Sequence, residues 1–212
     1  MKLFFGSNQL IRVPTFGKGN PANDYGLGLY LTPEMDMARP WASKFPSGGF
    51  AITYDVDLSS LRVLNLANSG EEAILRWITL LVEHRFDRLQ RARYQERVEE
   101  LIRRYGMNLS QYDVIIGYRA DDSYFRYATD FLANTLSIDV LAEAMKLGKL
   151  GTQVVLKSKE AFQKVSFVSA EEVPHDSRYE RFRSFTLDQY HALKTTDSDK
   201  NTFIRDILRR GK

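Results

Sequence analysis

Between Asn23 and Thr32 the chain reads Asn-Asp-Tyr-Gly-Leu-Gly-Leu-Tyr-Leu-Thr, and this run constrains the fold more than any other. Two glycines one residue apart, Gly26 and Gly28, let the backbone turn tightly and leave room for a ligand to approach. Leu29-Tyr30-Leu31-Thr32 then reads as a short strand, with Tyr30 on the face opposite the two leucines. Pro33 stands where a helix would start, and Met37, Ala38, Trp41 and Ala42 recur at helical spacing. An aromatic ring is thereby held at a strand edge, beside a glycine turn and ahead of a helix, which suits a planar ligand stacked on tyrosine.

Around this run the periodicity alternates between short strands and helices. Leu3 to Phe5, Phe50 to Leu58, Arg62 to Leu66, Asp113 to Arg119, Gln153 to Lys157 and Lys164 to Val168 read as strands, the last two as a final pair. Ser69 to Tyr105 contains no proline and reads as a helical segment. Ile74, Trp77, Ile78, Leu81 and Val82 form one apolar face there, and Val98, Leu101, Ile102 and Tyr105 another. Its polar middle fits either two helices or one broken helix. Its eight arginines and seven acids suit a solvated, ion-paired face, with an arginine-rich RNA-binding helix as the sharper alternative. Helices follow through Tyr124 to Leu132 and Ile138 to Leu147, and two short ones around Leu187 to Leu193 and Thr202 to Arg210.

Composition bounds the rest. At 212 residues, 43% hydrophobic and 27% charged, the chain suits one globular domain with a full core. The absence of cysteine removes disulfides and thiolate metal sites, and the three scattered histidines argue against zinc. No leader-like h-region opens the sequence, and no apolar run approaches the roughly 20 residues of a membrane span, so a cytoplasmic location without membrane contact is expected. The net charge of +3 is too small by itself to imply nucleic-acid binding. Residues 175–212 do carry nine Lys or Arg against six acids, either a solvated tail or a docking surface for an anionic target.

The glycine-tyrosine run resembles the tyrosine motif of the ADP-ribosyltransferase superfamily, in the branch of diphtheria toxin and the poly(ADP-ribose) polymerases. Leu3-Phe4-Phe5-Gly6-Ser7 falls where that branch has a strand ending His-Gly, and Gln153-Val154-Val155-Leu156 falls on its closing strand, which starts with glutamate. The likeness is nearest to an uncharacterised bacterial family of the superfamily, which also has a segment like Tyr112 to Asp122. It covers roughly residues 1 to 170. It implies an α+β fold with a split β-sheet core, a helical insertion at about 69–105 and a basic helical extension over 171–212.

The resemblance further implies NAD+ as substrate, with no metal, and transfer of a single ADP-ribose to a macromolecular acceptor, protein or nucleic acid. A bacterial protein of this kind would act as a toxin or in conflict with phage, held by an antitoxin partner. Gly6 matches the glycine whose backbone binds the nicotinamide carboxamide, and Tyr30 the stacking ring; Gly26, Gly28 and Ser7 complete the cofactor-binding set. Phe5 stands where the family has histidine and cannot hydrogen-bond a ribose. Gln153 keeps the hydrogen bond of the missing glutamate but offers neither charge nor a base, so no polymer synthesis is expected. The carboxylate could come from Asp121 or Asp122, just after a buried strand, or from Asp24, with Arg119 spaced to reach a diphosphate or to anchor an acid. Helix capping and ordinary turn chemistry account for the same acids equally well. The alternative function is an inactive module of the same fold that binds NAD+, ADP-ribose or a partner protein.

Overall fold

The computed structural model describes residues 1–67, 70–119, 122–146, 151–198 and 200–210, apart from the side chains of 122–125, 145–146 and 186. It is an α+β structure with two small sheets. In the first, β1 (Lys2–Ser7), β3 (Gly49–Val56) and β7 (Val165–Val173) lie antiparallel in the order β1-β3-β7. In the second the order is β2 (Leu29–Leu31), β6 (Thr152–Leu156), β5 (Val114–Tyr118) and β4 (Val63–Asn65), with β4 and β5 parallel. The expected final strand pair does not form. β6 and β7 follow one another in sequence but belong to different sheets, because the short helix α7 (Lys159–Gln163) carries the chain across from one to the other.

Strand alternation decides which residues meet. In β5 and β6, Ile115 and Val155 face a helical layer, while Val114, Val154 and Leu156 face the other sheet with Leu3, Ile52 and Tyr54. Both faces are covered, so these strands read as continuous apolar runs. β3 is likewise buried on both faces from Ala51 to Tyr54, with Ala51 beside Ala38 and Ala42 on one face and Ile52 and Tyr54 in the inter-sheet cluster on the other.

The arginine-rich segment breaks twice, giving α2 (Glu71–Arg85), α3 (Arg88–Arg93) and α4 (Gln95–Tyr105). Asp87 forms a capping box with Gln90 that starts α3 afresh and accounts for the first break. α2 lies in the core. Leu75, Thr79 and Leu80 are buried along with the predicted apolar face, so the helix is covered nearly all round. It is packed against α4, α5 (Asp122–Leu132) and α6 (Ile138–Lys146). The C-terminal helices are α8 (Arg178–Lys194), which starts well before the expected Leu187, and α9 (Ile204–Arg209). Tyr190, Ile204 and Ile207 from these two helices belong to the same buried cluster as α2. Among the described residues no helix is long and apolar enough to cross a membrane.

The remaining helix, α1 (Met35–Ser43), lies flat on the first sheet. Gly6 permits this. A Cβ there would stand 2.3 Å from Ala38 O and 2.9 Å from Ala42 N, so only glycine lets the helix approach the strand so closely.

Candidate active site at the seam of the two sheets

The two sheets touch where Phe4 and Thr32 exchange backbone hydrogen bonds, 2.8 Å from Phe4 N to Thr32 O and 2.9 Å in return. Antiparallel pairing alternates the direction of the backbone groups, so Gly6 turns its N–H and C=O to the same edge as Phe4, away from β3. Continued by two residues, that register sets Gly6 opposite Tyr30. No ladder forms there: β2 pairs with β6 along its other edge, and the contact with β1 stops at the Phe4–Thr32 bridge. The strands part instead, and a cleft of about 780 Å³ opens between them, with Gly6 and Tyr30 both on its wall.

The turn before β2 is pinned from three directions. Tyr25 is fully buried and its hydroxyl donates to Tyr118 O at 2.7 Å, and a Cβ at Gly117 would come within 2.1 Å of the Tyr25 hydroxyl oxygen. Burial pushes the Tyr25 phenol well above its usual range, with the neighbouring Asp24 charge adding to the effect. Lys157 Nζ donates to Tyr25 O at 2.5 Å and Leu27 O at 2.6 Å, and its burial lowers its pKa to about 8. The Tyr30 hydroxyl donates to Gly26 O at 2.5 Å and accepts from Tyr25 N at 3.0 Å. Gly26 has φ +72°, and a Cβ there would meet the His84 ring at 2.9 Å. At Gly28 the obstacle is β6, with Leu156 O at 2.8 Å.

This turn holds Asp24 inside the cleft, 7% exposed. Arg85, the last residue of α2, donates to Asp24 Oδ1 at 2.9 Å. Gln153 Nε2 lies 3.4 Å from Asp24 Oδ2. Gln153 shares a strand face with Val155, which pairs with Tyr30, so Gln153 and Tyr30 project on the same side. Its Oε1 is buried without a hydrogen-bond partner, the kind of orphaned acceptor that a bound hydroxyl would satisfy.

Of the sequence-predicted residues, the cleft gathers Phe5, Gly6, Asp24, Gly28, Tyr30, Arg119 and Gln153. Phe5 forms apolar wall, packed partly against the inter-sheet cluster. Gly26 and Ser7 do not line it: Gly26 shapes the turn from behind, and the buried Ser7 accepts a hydrogen bond from Gln9 N at 3.2 Å. Asp121 and the side chain of Asp122 lie outside the described residues.

Sequence reasoning missed Arg85, Trp41, Lys44 and Tyr179 as cleft residues. Trp41 has a signal in its helical spacing after the tyrosine run, which marks a helix but not a cleft wall. Its indole Nε1 is buried without a hydrogen-bond partner, and the Arg119 guanidinium lies 4.5 Å from its ring centroid. Among the described lining residues Lys18, Lys44, Arg85 and Arg119 face one acid, Asp24, which gives a site suited to an anionic ligand. No group of three metal-ligating side chains gathers among the described residues.

The family model described as a protein of unknown function, DUF3990, matches residues 1–167. No curated protein and no solved structure matches the chain significantly.

Proposed function

The chain belongs to the DUF3990 family, and we propose that it is a mono-ADP-ribosyltransferase with an ADP-ribosyltransferase-like core. The observation that carries this reading is the wedge between the sheets, with the free backbone edge of Gly6 on one wall and the ring of Tyr30 on the other. A nicotinamide has the two features such a wedge recognises, a flat ring to stack and a carboxamide to pair with a backbone N–H and C=O. Arg119 supplies a partner for a diphosphate.

The chemistry asked of the site is cleavage of the bond between ribose and nicotinamide. The bonding pair leaves with the pyridine nitrogen, and positive charge develops on the ribose, as in glycoside hydrolysis. Asp24 supplies the negative charge that stabilises this state, Gln153 orients a ribose hydroxyl through its orphaned Oε1, and Arg85 positions the carboxylate. The acceptor then attacks the ribose carbon, and its proton passes to water. With an amide on the closing strand, the site is expected to transfer one unit and not to extend a chain. Action as a toxin or against phage, under an antitoxin, belongs to this proposal as context.

The test is nicotinamide release from labelled NAD+ by purified protein. Release that disappears in Tyr30→Ala, with the variant still folded, is the expected result. Thermal stabilisation by NAD+ without any release would establish instead the inactive binding module.

A further inference from the structure

The cleft wall is completed by a part of the chain beyond the family match, which ends at residue 167. α8 begins at Arg178, and Tyr179 in its first turn lines the cleft. Tyr179 meets Trp41 edge-on, with ring centroids 5.3 Å apart and planes at 69°. Lys44 Nζ stands 4.1 Å from the Trp41 centroid and 5.5 Å from that of Tyr179. One turn along α8, the exposed Arg183 brings its guanidinium to 6.0 Å from the Tyr179 ring. Rings and cations therefore alternate from the cleft outward, in the order Arg119, Trp41, Lys44, Tyr179, Arg183. Of the nearby acids, Asp176 is occupied by Arg178 at 2.8 Å, and Glu180 is exposed beside Tyr179.

We propose that this track seats the acceptor, and that the acceptor is single-stranded nucleic acid. The proposal rests on the transferase reading and names its substrate class. Unpaired bases stack on aromatic faces whatever their sequence, while their phosphates follow a line of cations. A neutral peptide has no charge to offer successive cations, and an acidic one offers a flat face only where it carries an aromatic side chain, whereas every nucleotide brings both a base and a phosphate. A duplex keeps its bases stacked on one another and out of reach of Tyr179.

The experiment measures fluorescence anisotropy of labelled oligonucleotides of about 12 nucleotides, DNA and RNA, beside acceptor-free nicotinamide release. Wild-type protein is expected to bind them with an affinity that falls as salt rises. Tyr179→Ala and Arg183→Glu should each weaken binding by about tenfold, and Tyr179→Phe, which keeps the ring, should retain it. Arg183→Glu, outside the cleft lining, should release nicotinamide from NAD+ at the wild-type rate, and thermal unfolding checks that all three variants are folded. Intact release with no oligonucleotide binding, or with binding indifferent to both variants, overturns the proposal. So does label from NAD+ entering protein and not nucleic acid in a lysate. Binding that follows the variants without any release overturns the transferase reading and, with it, the acceptor role of the track.

Discussion

Gln153 and Asp24 come together from positions far apart in the sequence, the amide Nε2 lying 3.4 Å from the carboxylate Oδ2. Under the proposed function, the strand position expected to hold a catalytic carboxylate carries an amide with a carboxylate beside it. If Asp24 supplies the charge, Asp24→Asn should slow nicotinamide release by roughly 100-fold or more, the cost of removing one preorganised electrostatic group. The substitution also leaves Arg85, with its side chain only 19% exposed, facing an uncharged partner. A melting curve taken beside the kinetics separates the two effects. A folded Asp24→Asn protein with the wild-type rate defeats the assignment.

Gly6 meets one demand from the helix above it and, under the proposed function, a second from the ligand. Gly6→Ala would set a methyl 2.3 Å from Ala38 O and 2.7 Å from Trp41 Cβ, so α1 must lift. Overpacking of this kind costs about 1–3 kcal/mol, which urea denaturation would register. Because Trp41 rides on α1, NAD+ affinity should fall as well, measured by titration. Unchanged stability would mean that α1 shifts freely and that the glycine is not there for packing.

Tyr30 separates ring from hydroxyl. Tyr30→Phe keeps the stacking face but removes the bonds to Gly26 O and from Tyr25 N, leaving the turn less well held. The expected loss is about 1–3 kcal/mol of stability, with NAD+ affinity reduced less than in Tyr30→Ala. Equal loss of affinity in the two variants would show that the hydroxyl, through the turn, matters as much as the ring.

What the sequence made legible was local. Gly26, Gly28 and Tyr30 announce themselves because a turn and a strand are written within a few residues, and the structure gives each glycine a steric reason. β7 was misplaced because strand pairing is non-local: adjacency in sequence argued for β6, and the crossing made by α7 leaves no periodic signal. Arg85 lay hidden in an arginine-rich run that reads as solvated, although it continues the face of Leu81 and Ile78 by one helical turn. Tyr179 had no signal at all. The start of α8 mixes aromatics with arginines because it faces a cleft rather than a core, and that blurs the helical period. The pairing of Asp24 with Gln153 could not be read either, since it depends on how the sheets meet.

Asp113 ties the second sheet together and makes its stability depend on acid. Its carboxylate accepts from Arg62 Nε at 2.9 Å, Nη2 at 3.1 Å and backbone N at 2.9 Å, while its own backbone joins Arg62 and Lys157. The Arg62 guanidinium, followed by the Arg62 backbone N–H, holds the acid well below the usual carboxylate range against the opposing effect of burial. In the unfolded chain Asp113 takes up a proton near pH ~3.9, whereas the native state stays ionised to lower pH. The unfolded state then binds more protons, so the contribution is complete above that pH and is lost as pH falls from there through the lower native value. Urea midpoints measured between about pH 6 and pH 2 should therefore drop less steeply in Asp113→Asn than in the wild type, with the variant already weaker at neutral pH. High salt should trim only part of the wild-type slope. The Arg62 side chain is 64% exposed and screened, but the backbone bond to the covered carboxylate is not. Parallel curves for the two proteins would show that Asp113 titrates alike in both states and that the acid response arises elsewhere.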